Sequence, residues 1–104
     1  MTSINSNIPI VILAGGKGER FISKENLPKQ LTTIAKHPII IEIILYYHKK
    51  GFNFFILPLG FKKKFFFDFF NNKKNINKYN LNIITKKFPQ KKNKINILLF
   101  DAGR

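Results

Sequence analysis

Runs of apolar residues between polar and glycine-rich segments predict an alternation of strands and helices along this chain. Ile10 to Ala14 is a short, β-branched run without polar alternation, which is typical of a strand buried on both faces in a parallel sheet. Asn53 to Leu59 and Ile95 to Phe100 are similar runs, and each predicts a further strand. Leu31 to Ile34 and Leu81 to Thr85 predict two shorter strands.

Two segments have the spacing of amphipathic helices, Ile39 to Lys50 and Lys63 to Phe70. The predicted inward residues of the first helix are Ile40, Ile43, Ile44 and Tyr47. Those of the second helix are Phe65, Phe66, Phe69 and Phe70. The polar segments Asn71 to Asn80 and Lys86 to Lys94 are interpreted as loops. A strand, a helix and a strand in this order imply a right-handed crossover and a parallel sheet.

The first strand leads directly into a segment that combines glycines with positive charge. Gly15, Gly16 and Gly18 remove side chains where the chain leaves the strand, so a ligand can approach the backbone closely. Successive N–H groups in such a segment can form a concave anion site, to which Lys17 and Arg20 add positive charge. The pattern indicates a phosphate-binding loop, although a tight turn without a ligand uses the same glycines.

Two common glycine motifs do not fit this loop. A P-loop requires Ser or Thr after Gly-Lys, whereas Gly18 follows Lys17. The dinucleotide-binding fingerprint requires a third glycine three residues after Gly18, where this chain has Phe21. The loop therefore matches neither of these phosphate-binding motifs.

The segment Leu13-Ala14-Gly15-Gly16-x-Gly18-x-Arg20, followed by Pro28-Lys29, resembles the signature of the nucleotidyltransferases that make sugar nucleotides. Those enzymes join a nucleoside triphosphate to a sugar 1-phosphate and release pyrophosphate. Gly60-Phe61-Lys62 and Asp101-Ala102-Gly103 resemble segments of the glucose-1-phosphate cytidylyltransferases, which are the nearest subfamily. Glu19 departs from the pattern, because the hexose 1-phosphate enzymes usually have Thr at this position.

The resemblance implies a role for each matching residue. The residues expected to bind the nucleotide are Leu13, Ala14, Gly15, Gly16, Gly18, Arg20 and Lys29. Arg20 would hold the β- and γ-phosphates with two parallel hydrogen bonds, and Lys29 would act as a point charge near the transferring phosphate. These two are the expected catalytic residues, because nucleotidyl transfer depends on positioning and charge neutralisation rather than on a protein nucleophile.

The resemblance also implies an α/β fold. We expect a truncated form of the Rossmann-like nucleotidyltransferase fold, with a mostly parallel sheet. Residues 1–104 would form the N-terminal, nucleotide-binding part of such a domain. Magnesium is the implied cofactor, but the family's metal-binding and sugar-binding segments would lie after Arg104, so no metal ligand is assigned in this chain. Asp101 is expected to cap a turn. We therefore expect the chain alone to be inactive, and its open sheet edge to favour a homo-oligomer.

The charge of the chain is unevenly distributed. Of the net charge of +14, residues 1–48 contribute five basic and three acidic residues, and residues 49–104 contribute fourteen basic and two acidic ones. Such an excess favours polyanionic partners, but A/T-rich codons would also enrich Lys, Asn, Ile and Phe.

The expected partners are CTP and a sugar 1-phosphate. The chain has no signal-peptide pattern and no apolar run of membrane length, so a cytoplasmic location without membrane contact is expected.

Two other functions compete with this interpretation. A basic nucleic-acid-binding module would combine lysines that contact phosphates with phenylalanines that stack on bases. The phenylalanines argue against it, because they cluster in segments that are predicted to form the core: Phe54, Phe55, Phe65, Phe66 and Phe69. The second alternative is a non-catalytic remnant that binds a nucleotide weakly or not at all.

Overall fold

The computed structural model describes residues 8–13, 31, 33–34, 36–60, 62–85 and 90–102. Along the chain, the described elements are β1 (Pro9–Val11), β2 (Thr33–Ile34), β3 (His37–Pro38), α1 (Ile39–Lys49), β4 (Phe54–Leu59), α2 (Lys63–Phe70), α3 (Lys73–Tyr79), β5 (Leu81–Ile83) and β6 (Ile95–Asp101). β2 and β3 form a small antiparallel pair, and the other strands form one sheet in the order β1-β4-β6-β5. The α/β fold is confirmed, and the arrangement is compatible with a Rossmann-like fold.

All neighbouring strands of the four-stranded sheet are parallel. β1 pairs with β4, β4 with β6, and β6 with β5. α1 connects β1 to β4 through the β2–β3 pair, which is the strand–helix–strand order expected from the sequence. The predicted parallel pairing of the first two long strands is therefore confirmed.

A proline lies inside β4, a position that a central strand tolerates only when no N–H is needed. Residues of one strand point their backbone groups alternately to its two neighbours. The Ile56 carbonyl accepts a hydrogen bond from the Ile12 N–H at 2.9 Å, so Pro58, two residues on, also points its backbone toward β1. The pairing of β1 with β4 ends at Val11 and Ile56. Pro58 therefore lies beyond the part of β4 that pairs with β1. Its missing N–H removes no hydrogen bond between these two strands.

α1 begins at Ile39 as predicted, but its buried stripe is rotated. Pro38 is the residue before the first helical turn and has extended backbone angles (φ −56°, ψ 150°). The fully buried residues of the helix are Ile40, Ile41 and Ile44. Ile43 and Tyr47, which were predicted to point inward, are only partly buried. Every position from Ile39 to Ile41 and from Ile43 to Tyr47 is apolar. The sequence pattern therefore did not distinguish the predicted buried face of the helix from the observed one.

α2 matches its predicted bounds, but the loop predicted for Asn71 to Asn80 is wrong. Phe66 and Phe70 of α2 are fully buried, and Phe65 and Phe69 pack against the core. The next segment forms α3, because asparagines stabilise both of its ends. The Asn72 side chain accepts a hydrogen bond from the Lys74 N–H at 2.9 Å, and Asn80 ends the helix in the left-handed conformation (φ 57°, ψ 48°).

The sheet has two faces with different surroundings. The inner face packs into the hydrophobic core with α1 and α2, and its residues are Ile10, Ile12, Phe55, Leu57, Leu59, Leu81, Ile83, Ile95, Ile97 and Leu99. The outer face carries the alternate residues of the same strands, namely Val11, Leu13, Phe54, Ile56, Pro58, Asn82, Asn96, Leu98 and Phe100. The prediction that the first strand is buried on both faces is wrong, because Val11 is 55% exposed on the outer face.

The outer face is closed at its amino-terminal end by a buried asparagine. Asn96 is fully buried, and its side-chain oxygen accepts hydrogen bonds from the Asn82 side chain and the Lys91 N–H, both at 2.8 Å. Its side-chain nitrogen donates to the carbonyls of Asn53, Lys91 and Lys94. The Asn96 side chain therefore anchors the described loop before β6 to the start of β4.

Candidate functional site

The carboxyl ends of β1, β4 and β6 meet at one edge of the sheet, which we call the carboxyl edge. The Ile12 N–H continues the β1–β4 pairing beyond Val11, and the Ala102 N–H donates to the Leu59 carbonyl at 2.8 Å. Leu13, Gly60 and Asp101 consequently lie at the same edge, because all three strands run in the same direction. In open α/β sheets, ligands bind outside this edge.

An ion pair joins the start of α2 to the end of β6 at the carboxyl edge. The Lys63 ammonium lies 3.1 Å and 3.0 Å from the two carboxylate oxygens of Asp101. The Lys63 and Asp101 side chains are 37% and 52% exposed, so the pair contributes at most about 1 kcal/mol to stability. Its role is geometric, because it connects the first residue of α2 to the last residue of β6.

A tight turn between β4 and α2 places this lysine. The Lys63 N–H donates to the Gly60 carbonyl at 3.0 Å, and Lys62 adopts the left-handed conformation (φ 59°, ψ 31°). The Lys62 ammonium lies 5.9 Å from the centre of the Phe65 ring. The turn therefore presents two cations at the carboxyl edge, next to the end of β4.

One of the predicted nucleotide-binding residues is described by the structure, and the others are not. Leu13 follows β1 at the carboxyl edge, and its side chain is 77% exposed. The remaining predicted site residues lie outside the described residues: Ala14, Gly15, Gly16, Gly18, Arg20 and Lys29. Their roles stay predictions, and Leu13, which precedes Ala14 in the sequence, lies at the carboxyl edge.

The described residues do not provide a magnesium site. Both carboxylate oxygens of Asp101 contact Lys63, and the turn-capping role expected for this aspartate stays a prediction. Over residues 8–13, 31, 33–34, 36–60, 62–85 and 90–102, no three side chains of the metal-binding types lie together. A cation bound at Asp101 would be repelled by the Lys63 ammonium, so no step of the chemistry is assigned to a metal here.

Sequence reasoning missed Lys63 as a neighbour of Asp101. The two residues are 38 positions apart, and Lys63 belongs to a run of lysines in which no position stands out. The one available signal was their placement shortly after two strands that were predicted to share a mostly parallel sheet, since the residues that follow parallel strands share an edge of the sheet. His37 was interpreted as a turn residue, but its Nδ1 lies 2.9 Å from the Tyr79 hydroxyl and connects β3 to α3.

One groove among the described residues lies on the outside of α1. It is lined by residues of α1 alone, namely Ile39, Glu42, Ile43, Tyr46 and Tyr47. A groove on the outside of one helix has no converging polar groups and is not suited to a nucleotide. No helix in the described part of the chain is long and apolar enough to cross a membrane.

Comparison with known proteins identifies one kind of relative. The chain is 44% identical over 64 residues to the probable glucose-1-phosphate cytidylyltransferase of Bacillus subtilis (strain 168). The matched region covers 57% of this chain, which is less than the nearly complete extent suggested by the motifs. It covers 25% of the relative, so the chain spans about a quarter of the curated protein that it matches. The similarity supports a nucleotidyltransferase-like chain.

No protein-family model matches the sequence. No solved structure matches the fold.

Proposed function

We propose that this protein binds the triphosphate of CTP at the carboxyl edge and takes part in nucleotidyl transfer to a sugar 1-phosphate, with release of pyrophosphate. The observation that carries the proposal is the 44% identity over 64 residues to a probable glucose-1-phosphate cytidylyltransferase. That name provides the choice of CTP and of glucose 1-phosphate as the substrates to test first. The relative is about four times as long as the matched region, so the activity of a whole enzyme is part of the proposal.

The geometry of the sheet supports the location of the nucleotide site. The glycine loop begins directly after Leu13, which lies beside the end of β4, and β6 is the next strand of the sheet. A triphosphate bound by that loop would reach the turn that carries Lys62 and Lys63. The Lys62 ammonium would add to the positive potential that attracts a nucleotide to this edge, whereas the charge of Lys63 balances that of Asp101.

The Lys63–Asp101 pair supports the same site by its electrostatics. An unpaired carboxylate at the carboxyl edge would repel the triphosphate, and the charge of Asp101 is instead balanced by the Lys63 ammonium. The pair therefore keeps the edge from becoming acidic while Lys62, Arg20 and Lys29 contribute net positive charge.

The chemistry assigned to this chain is binding and orientation. Arg20 holds the terminal phosphates, and Lys29 neutralises charge that develops around the α-phosphate as the sugar phosphate oxygen attacks in line. Magnesium, when it accompanies the nucleotide, supplies further charge neutralisation.

The test measures CTP binding by isothermal titration calorimetry, with and without magnesium. Arg20→Ala should weaken binding by about 1.5–3 kcal/mol, because a hydrogen bond to a charged group is lost. Lys49→Ala is the matched control: Lys49 is exposed at the end of α1, just before β4 begins, and therefore lies at the opposite edge of the sheet. It removes the same charge but should leave the affinity for CTP unchanged.

The outcomes separate binding from catalysis. Equal affinities of wild type and Arg20→Ala would remove Arg20 from the site, and no binding of CTP, UTP, ATP or GTP would overturn the proposal. Pyrophosphate release from CTP and glucose 1-phosphate is measured in parallel. Because this chain alone is expected to be inactive, CTP binding without turnover would agree with the proposal, whereas weak or absent nucleotide binding would support the non-catalytic remnant.

The structure does not favour the nucleic-acid-binding alternative. The phenylalanines Phe55, Phe66 and Phe70 are fully buried, and Phe65, Phe67 and Phe69 pack against the core. Among the described phenylalanines, Phe100 alone is classed as a large exposed hydrophobic residue. A stacking platform requires several exposed rings along a basic groove.

A further inference from the structure

Two neighbouring lysines at the start of α2 form ion pairs of different kinds. The Lys64 ammonium lies 2.9 Å from the carboxylate of Asp68, which is four residues further along the same helix. The Lys63 ammonium instead lies 3.1 Å and 3.0 Å from the two carboxylate oxygens of Asp101, at the end of β6. Lys64 is therefore held along the helix, away from the carboxyl edge, whereas Lys63 is held at that edge.

The backbone of Lys63 is fixed near the middle of the carboxyl edge. Its N–H donates to the carbonyl of Gly60, the residue after β4, at 3.0 Å. β4 lies between β1 and β6, and neighbouring strands are about 4.8 Å apart. Because lysine has a flexible four-carbon side chain, rotation about its bonds can bring the ammonium to either side of β4. Asp101 lies on one of these sides, and the end of β1 lies on the other.

The ion pair between Lys63 and Asp101 is weak enough to be exchanged. The two side chains are 37% and 52% exposed, and ion pairs that are solvated to this degree contribute little to stability. A triphosphate brings several negative charges to the edge, whereas Asp101 has one, so at equal distance the ammonium is attracted more strongly to the nucleotide. After an exchange, the carboxylate of Asp101 stays hydrated, because half of its side chain is in contact with water.

On the basis of the proposed function, we propose that Lys63 is a further phosphate-binding residue that Asp101 holds in reserve. In the free protein, the carboxylate pairs with the ammonium at the β6 side of the edge. When the triphosphate binds, the ammonium leaves Asp101 and donates hydrogen bonds to phosphate oxygens at the β1 side of β4. Asp101 therefore competes with the nucleotide for Lys63 and lowers the affinity of the site.

The first test is the affinity for CTP, measured by isothermal titration calorimetry. Asp101→Asn should tighten CTP binding about threefold to tenfold, because the Lys63 ammonium no longer has to leave a carboxylate. Asp68→Asn is the matched control, since it removes the same charge from the ion pair with Lys64. It should change the affinity by less than about twofold. Inorganic triphosphate should show the same difference between the two variants, because the proposed contact is to phosphate.

A second test separates an exchange of partners from a general effect of charge. The lysines are acetylated with acetic anhydride, and the rate at each lysine is measured by mass spectrometry. In Asp101→Asn, the Lys63 amine has lost its carboxylate partner and should react faster than in the wild type. CTP should then slow the acetylation of Lys63 at least about threefold, because phosphate oxygens occupy the amine. Lys64 is the internal control, and its rate should be the same with and without CTP.

The two tests distinguish failure of the exchange from failure of the proposed function. The exchange alone would be overturned if CTP bound equally well to the wild type and Asp101→Asn, or if CTP did not protect Lys63 in that variant. Equal tightening by Asp101→Asn and Asp68→Asn would show an effect of net charge and would also overturn it. If neither CTP nor triphosphate bound to any of these proteins, the proposed function and the exchange would both be wrong. Both aspartates are exposed, so neither substitution should change the circular dichroism spectrum.

Discussion

The two faces of the sheet are nearly equal in composition and very different in burial. In β4, the inner residues Phe55, Leu57 and Leu59 are fully buried, whereas the outer residues Phe54, Ile56 and Pro58 of the same strand are partly exposed. Both sets are apolar, so hydrophobicity does not distinguish them. The difference arises because the helices of the described chain cover one face. An apolar run therefore predicts a strand, but the path of the crossovers decides which of its side chains are buried.

The two ends of the sheet differ in a similar way. At the amino-terminal end, the Asn96 side chain is fully buried and makes hydrogen bonds to both neighbouring segments. At the carboxyl edge, the Lys63–Asp101 pair is more than one-third exposed. The first arrangement is structural, because it leaves no space for a ligand. The second remains accessible, as a binding edge requires.

The largest expected effect comes from truncating one phenylalanine on each face of β4. Phe55→Ala should lower the free energy of unfolding by about 3–5 kcal/mol, because it leaves a cavity in the core. Phe54→Ala should cost about 1 kcal/mol, because Phe54 loses less buried area. Urea unfolding followed by circular dichroism at one fixed protein concentration measures both. Equal losses would mean that the outer face is covered as tightly as the inner one.

A smaller effect is expected from the buried asparagine of the outer face. Asn96→Ala should lower the free energy of unfolding by about 1–3 kcal/mol, since the Asn82 side chain and the Lys91 N–H lose their acceptor. Asn77→Ala, at an exposed position of α3, is the control and should change it by less than about 0.5 kcal/mol. An unchanged free energy of unfolding for Asn96→Ala would show that hydrogen bonds to water replace those of the Asn96 side chain without loss of stability.

The smallest effect on stability is expected at the carboxyl edge. Lys63→Ala should lower the free energy of unfolding by about 0–1 kcal/mol, because the ion pair with Asp101 is partly solvated. The matched control is Lys64→Ala, which removes an ion pair with Asp68 whose lysine is 85% exposed. Chemical unfolding at low and high salt measures the free energy of unfolding of both variants. The difference between each variant and the wild type should be smaller at high salt. A loss well above 1 kcal/mol would mark the Lys63–Asp101 pair as a structural contact.

The main elements of the fold could be predicted from local patterns. The three long apolar runs became β1, β4 and β6, and the helices at Ile39 and Lys63 began at the predicted residues. α3 was missed because its apolar residues, Ile76 and Tyr79, are too few to show a period. Its two ends are set by asparagine caps, which do not stand out among the other polar residues of the segment. The buried stripe of α1 could not be chosen, because nearly every position of that helix is apolar.

The candidate site could be predicted in outline. The glycine loop after the first strand pointed to the carboxyl edge, where the structure places Leu13 beside the end of β4. Arg20 and Lys29 lie outside the described residues, and their roles remain predictions. The contact between Lys63 and Asp101 could not be predicted, since it joins residues 38 positions apart.

The sequence by itself determined where the three long strands and the helices α1 and α2 form, that the first two long strands run parallel, and that the glycine loop follows the first strand. These properties depend on neighbouring residues, whose spacing and turn chemistry act over a few positions. Only the tertiary structure decided which face of the sheet is covered, which isoleucines of α1 are buried, and which cation meets Asp101. Each of these depends on the order of the strands in space, because that order sets the side on which every crossover packs.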